Sequence, residues 1–162
     1  MKMTMSAEGT EEIRKLLEGI AEKASGVAAR GLYDGAGTMA EGINAGVDGI
    51  KTEEFHYTVF GQRMPSPEEK EILKSAAGIA RFKRADGEVN TSVGFGNAGY
   101  AMIKGRRKPI PLIANAINSG TSFMKKQAFF RRAYNRNKGK AEEAIIQTIE
   151  SEIDKMTGGN KA

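Results

Sequence analysis

Apolar residues recur at helical spacing from the N-terminal region onward: Ile13, Leu16, Leu17, Ile20 and Val27, then Leu32, Ala36, Met39, Ile43, Val47 and Ile50. Steps of three and four keep one face of a helix apolar. Thr10 is placed to cap that helix, and Glu11 and Glu12 sit well in its first turn. The pattern predicts a helix from residue 10 to about residue 49. A second stripe runs along it, with Ala21, Ala28, Gly35, Gly42 and Gly49 seven apart and Ala24, Gly31, Thr38 and Ala45 three positions after the first four. Small residues at this spacing admit a second helix, from the same chain or from another subunit. The alternative is a joint near Gly35-Ala36-Gly37 that divides the segment into two helices. Six glycines lie between Gly31 and Gly49, each costing about 1 kcal/mol against alanine, so this stretch depends on packing for its helicity.

Further along, Phe55, Tyr57 and Val59 alternate with His56 and Thr58, a short strand pattern that directs His56 away from the apolar side. Ser66-Pro67-Glu68-Glu69 has the form of a capping box with proline at the first helical position, and Ile72, Leu73, Ala76 and Ala77 give that helix an apolar face. A hairpin is predicted next, from Ile79 to Ala85 and from Glu88 to Phe95 around Asp86-Gly87, with Val89, Thr91, Val93 and Phe95 on one face. Residues 96–111, rich in Gly, Lys, Arg and Pro, read as a loop, and the apolar run Leu112–Ile117 is too short for its type to follow from pattern alone. Phe129, Phe130, Ala133 and Tyr134 open a last helical pattern that continues through Ala141, Ile145, Ile149 and Ile153 to Met156, with Gly139 as a candidate kink. The expected organisation is a single α+β domain over residues 10–156 between flexible ends at 1–9 and 157–162: a small antiparallel sheet packed by a long N-terminal helix, a middle helix and a long C-terminal helix.

Composition narrows the chemistry. The 162 residues suit one domain, and 40% hydrophobic with 28% charged residues is ordinary for a folded chain. Zero cysteines exclude disulfides, thiolate metal sites and a cysteine nucleophile, and a single histidine leaves little room for a zinc or serine–histidine mechanism. The opening Met1-Lys2-Met3-Thr4-Met5-Ser6 is not expected to be a signal peptide, and no apolar run approaches the length of a membrane span. The expectation is a protein that is not an enzyme and needs no cofactor or metal.

Charge adds more than its net value of +5 suggests. Residues 89–141 hold eleven basic side chains and no Asp or Glu, while the other residues carry fourteen basic against twenty acidic. Such a split points to a surface facing nucleic acid or an acidic protein partner. Lys104, Arg106, Arg107 and Lys108 are candidate phosphate contacts with Tyr100 close by, and the plain alternative is a solvated basic loop. In Phe129-Phe130-Arg131-Arg132, two adjacent aromatics on one helix are expected not to face the same core, leaving one for a neighbouring subunit or another surface; the alternative is a wide buried face within the chain that takes both. Gly94-Phe95-Gly96-Asn97-Ala98-Gly99 matches a dinucleotide fingerprint, but Gly105 and Pro109 cut off the helix that such a site needs, and no acid follows before Glu142.

The C-terminal half also carries a resemblance. Asn90-Thr91-Ser92-Val93-Gly94-Phe95, then Leu112 to Ser122 with Gly120-Thr121, then Gln127-Ala128-Phe129-Phe130-Arg131-Arg132-Ala133-Tyr134 follow one another in an order that resembles the tail-completion, or head–tail connector, proteins of long-tailed bacteriophages. Asn118 stands where that family commonly has an acid, and Ala128 where it usually has proline. The resemblance implies a non-catalytic structural subunit of the neck or tail end of the virion, built in the host cytoplasm. Its implied partners are copies of itself in a ring and neighbouring connector, terminator or tail-tube proteins. Genome DNA would pass through the lumen without sequence-specific binding, and no membrane is involved. Under this reading Phe129, Phe130, Arg131, Arg132, Gly35 and Gly42 are the expected subunit or partner contacts. A small basic nucleic-acid-binding module, using Lys104–Lys108 and Arg131–Arg136, is the alternative.

Overall fold

The two longest periodic segments become the frame of the molecule. In the structure, a computed structural model, residues 8–54, 61–85, 88–96 and 98–156 are described, with side chains from residue 18 onward. Helix α1 (Glu8–Asp48) is continuous through Gly35-Ala36-Gly37, so the glycines do not divide it. Helix α4 (Phe129–Met156) runs back along it and passes Gly139 without interruption. Between them lie α2 (Pro67–Ala76), α3 (Ile110–Ser119) and six short strands: β1 (Gly78–Ile79), β2 (Lys83–Ala85), β3 (Glu88–Asn90), β4 (Val93–Gly94), β5 (Tyr100–Ile103) and β6 (Arg106–Pro109). The class is α+β, as the pattern predicts, with antiparallel pairing divided among three two-stranded sheets: β1–β4, β2–β3 and β5–β6. Helicity already includes Glu8 and Gly9; residues 1–7 and 157–162, and the strand expected around His56, lie outside the described residues.

The small-residue stripe is filled from within the chain. Gly31, Gly35, Gly42 and Gly46 face Ile149, Ile145, Asn137 and Ala133 of α4 in turn. A Cβ at Gly35 would stand 2.5 Å from the Ile145 side chain and 3.0 Å from the Ala141 carbonyl; one at Gly46 would stand 3.2 Å from the Phe129 carbonyl. Gly35 and Gly42, expected as contacts to another subunit, are therefore buried against α4 of their own chain. The separation is too small there for anything but hydrogen.

The main core sits at one end of this helix pair. Ile43 and Val47 of α1, and Ile50 just beyond its end, pack with Leu73 of α2, Phe95, Ile103 of β5, Ile113 and Ile117 of α3, Met124 and Phe129. The end of α1 has no basic residue of its own, and α2 supplies the cations that a helix C-terminus favours. Lys70 Nζ donates to the carbonyls of Asp48 at 2.7 Å and Ile50 at 3.2 Å, and Lys74 pairs with the Asp48 carboxylate at 2.9 Å.

Helix α2 begins as its sequence predicts, with Ser66 and Glu69 exchanging capping hydrogen bonds. Glu69 is also buried, and Arg63 meets its carboxylate through two hydrogen bonds of 2.7 Å. Burial pushes the Glu69 carboxyl up, but the Arg63 guanidinium, the Ser66 amide and the charge of Lys108 together bring it below the usual carboxylate range. Through its backbone, Arg63 donates to Phe123 O at 2.9 Å and accepts from Lys125 N at 2.9 Å, tying the approach to α4 to the start of α2.

The predicted hairpin alternates as expected: Val89, Thr91 and Val93 are half-buried and Phe95 is buried, whereas Asn90 and Ser92 are exposed. Ala85 pairs with Glu88, leaving two residues for the connection; Asp86 and Gly87 themselves lie outside the described residues. Between the Lys83–Asn90 and Ile79–Val93 pairs, the first arm has three residues and the second has two. This extra residue is a β-bulge, and it separates the hairpin into two sheets.

Two outcomes follow. Gly37 has nothing within 4 Å of an added Cβ, so Gly37→Ala should gain about 1 kcal/mol of helix propensity, whereas Gly35→Ala should lose about 1–3 kcal/mol to overpacking. Urea unfolding of the two variants reads the opposite signs. For the buried ion pair, Glu69→Gln should cost about 3 kcal/mol near neutral pH. Because the folded carboxyl lies below its unfolded value, that contribution is full above the ordinary value of 4.5 and is lost as pH falls through the lowered one. Wild type and variant should therefore converge in stability on acidification.

Candidate interface at the base of the helix pair

The segment expected as a loop contains a hairpin. Tyr100 pairs with Pro109, Ala101 with Lys108, Met102 with Arg107 and Ile103 with Arg106. Only Lys104 and Gly105 remain to make the turn, and both have positive φ, 49° and 73°, as a type I′ hairpin turn requires. Sequence reasoning missed this turn because lysine stands where Asn or Asp usually signals it. The chain passes from Pro109 directly into α3, which settles Leu112–Ile117 as helix.

Pairing fixes what each face of the β5–β6 hairpin presents. Ile103 is buried and Lys108 is half-buried on the inner face, where the charge of Lys108 reaches Glu69. The outer face carries Tyr100 and Met102, 59% and 60% exposed, with the Arg107 guanidinium 4.1 Å from the centre of the Tyr100 ring. Stacking of this kind holds an arginine in place without neutralising it. The four basic residues singled out in the sequence thus divide: Arg106 and Arg107 are exposed on β6, Lys104 stands at the turn, and Lys108 belongs to the inner face. Gly99 leads into strand β5 rather than a helix, so the glycine pattern has no helix N-terminus behind it.

The three segments carrying the phage resemblance meet beside this hairpin. Phe95 lies 6.0 Å from Phe129 and 6.4 Å from Phe130 between ring centres, and Phe129 and Phe130 are 6.5 Å apart. The expectation that these two adjacent aromatics cannot share a core fails, because Phe95 approaches from the hairpin and touches both rings. Phe129 is 2% exposed, and Phe130 is half-buried against the same cluster. Arg131 and Arg132 are exposed on α4, where Arg132 donates to the Gln127 carbonyl.

Asn118 holds the α4 entry. Its side-chain oxygen accepts from the Phe130 amide at 3.1 Å, and its carbonyl accepts from the Ala128 amide at 3.0 Å. An aspartate could accept the same side-chain bond, so the departure at Asn118 leaves this cap available. Ala128 differs. Its φ of 47° and its donated hydrogen bond are both closed to proline, so α4 is entered here by another route than a Gln-Pro-Phe turn.

Elsewhere, a cleft of about 790 Å³ lies where α1, α4 and β2 meet, with Tyr33, Phe82 and Arg84 on its walls. Its carboxylates are engaged within the chain: Glu152 pairs with Arg30 and Lys155, and Asp34 accepts from Thr148 at 2.6 Å. Among the described residues, no helix is long and apolar enough to cross a membrane. The chain matches no protein-family model, no curated protein and no solved structure.

Substitution tests the α4 entry directly. Ala128→Pro should cost about 3 kcal/mol or more, since it demands a different φ and removes a backbone donor. Thermal unfolding measures the loss, and a stability equal to wild type would mean that the entry adopts the proline-compatible form.

Proposed function

We propose that this chain is a non-catalytic structural subunit of a bacteriophage neck or tail-completion ring. The observation that carries the reading is spatial. The three short segments on which the resemblance rests, separated in sequence by 16 and 4 residues, join at Phe95, Phe129, Phe130 and the Asn118 cap. They behave as one structural unit rather than as scattered similarities. The charge division agrees with a subunit that meets copies of itself or acidic neighbours through its basic region. On this reading it works in the virion, with copies of itself and connector, terminator or tail-tube proteins as partners.

The second reading, a small nucleic-acid-binding module, draws on Tyr100, Arg106 and Arg107 together on one exposed hairpin. The two readings separate by experiment. Native mass measurement of the protein, alone and with the products of neighbouring genes, should give a closed multimer or a defined complex. Any binding to duplex DNA should be sequence-independent and should fall away between low and physiological salt, because only phosphate contacts would supply it. Tight binding to one sequence at physiological salt, with no assembly, would favour the second reading instead.

A further inference from the structure

At the far end of the helix pair, one groove is lined by α1 and α4 alone. Register steps from Gly46 against Ala133 to Gly31 against Ile149. Continued at the same pitch, it brings Met156, the last residue of α4, opposite about residue 24. Residues 8–23 of α1 thus extend about 24 Å past the last described turn of α4. Where α4 ends, Ile20, Ala24, Val27, Ile149, Ile153 and Met156 line an apolar groove of about 360 Å³. Ile20 is 56% exposed and Met156 51%. Among the described side chains of the helical segments around it, residues 18–34 and 142–156, eight are acidic against three basic, Lys23 of the groove wall included.

We infer that this acidic, apolar tip docks on the outer face of the β5–β6 hairpin of a second copy, head to tail. The inference rests on the ring reading above and names its contact. Complementarity is the argument. Tyr100 and Met102 form an exposed apolar centre beside Arg107, with Lys104 at the adjoining turn, while Arg106, paired with Ile103, belongs to the opposite face; the tip offers an apolar centre inside an acidic surround. Phosphate binding would use the cations but leave the exposed Met102 side chain without a role. Tip and hairpin lie at opposite ends of α1, about 25 residues or 37 Å apart along the helix. One copy therefore does not fill its own hairpin face with its own tip, and each copy keeps one donor and one acceptor surface. Such a contact is heterologous, and it closes into a ring when the rotation between copies allows.

Two variants and their mixture test this. Ile20→Lys with Met156→Lys removes the tip; Met102→Glu removes the apolar centre of the hairpin face and pairs with Arg107 across the strands. All three side chains are exposed, and thermal unfolding verifies that each variant folds, with Tyr100→Glu as the replacement if Met102→Glu does not. By analytical ultracentrifugation, each variant alone should self-associate about tenfold or more weakly than wild type. An equimolar mixture should form a 1:1 dimer and stop, because it holds one intact tip and one intact hairpin. If wild type assembles but the tip variant assembles equally well, or the mixture stays monomeric, this contact is wrong and the ring reading stands. If wild type stays monomeric even with its neighbouring gene products, the ring reading fails. Loss of binding to a 20-base-pair duplex in Met102→Glu, with assembly unchanged, would assign the hairpin to nucleic acid and overturn the inference.

Discussion

Two long helices approach closely where one gives up its bulk to the other, and α1 does so at Gly31, Gly35, Gly42 and Gly46, which receive Ile149, Ile145, Asn137 and Ala133 of α4. The glycines come at a cost, since the six between Gly31 and Gly49 forgo roughly 6 kcal/mol of helix propensity against alanine. Packing against Ala133, Asn137, Ala141, Ile145 and Ile149 supplies what propensity does not. Because α1 comes early in the chain and α4 late, this contact also closes the longest loop in the molecule. Everything between Gly49 and Ala128 is suspended between two members of one frame.

The suspended part is held by specific bonds more than by sheet. Among the described residues its strands are two to four residues long, paired in separate two-stranded sheets. Order comes instead from ties that cross it. Arg63 links the Glu69 carboxylate at the start of α2 to the backbone of residues 123–125. Gln127 donates through its backbone to Ile117 O and through its side chain to Lys51 O, and Asn118 caps α4. A buried ion pair is a weak source of net stability but an exacting one. Here it sets which turn of α2 faces the loop leading into α4.

Much of this was readable from sequence, for reasons that differ by element. α1, α4 and the α2 cap were legible because helical period and capping chemistry are local. The paired faces of β3 and β4 were legible because alternation is local too. The β5–β6 hairpin was not, since Lys104-Gly105 makes a type I′ turn without the usual Asn or Asp and β6 carries three basic residues in a row. Gly35 and Gly42 were recognised as a seam, but period alone does not say which helix fills it; α4 presents its matching face over a hundred residues away. Whether Phe129 and Phe130 share the core was not legible, for the same reason. A helical wheel places one ring off the core face, and only the fold reveals that Phe95 reaches around to it. The Arg63–Glu69 pair escaped notice because its residues are unremarkable apart and the capping box already explained Glu69.

The frame also explains why the charge division persists. The tip of the helix pair and the β5–β6 hairpin are separated by about 37 Å along α1, several times the screening length of about 8 Å at physiological ionic strength. Acidic residues at the tip and basic residues at the hairpin therefore cannot neutralise each other within one copy. Near the tip, Arg30 and Lys155 pair with Glu152, so these cations are engaged on the helices themselves. A rigid rod with opposite charge at its two ends meets its complement only in another molecule. The glycine seam that makes the helix pair long and close-packed is thus also what keeps its two ends apart.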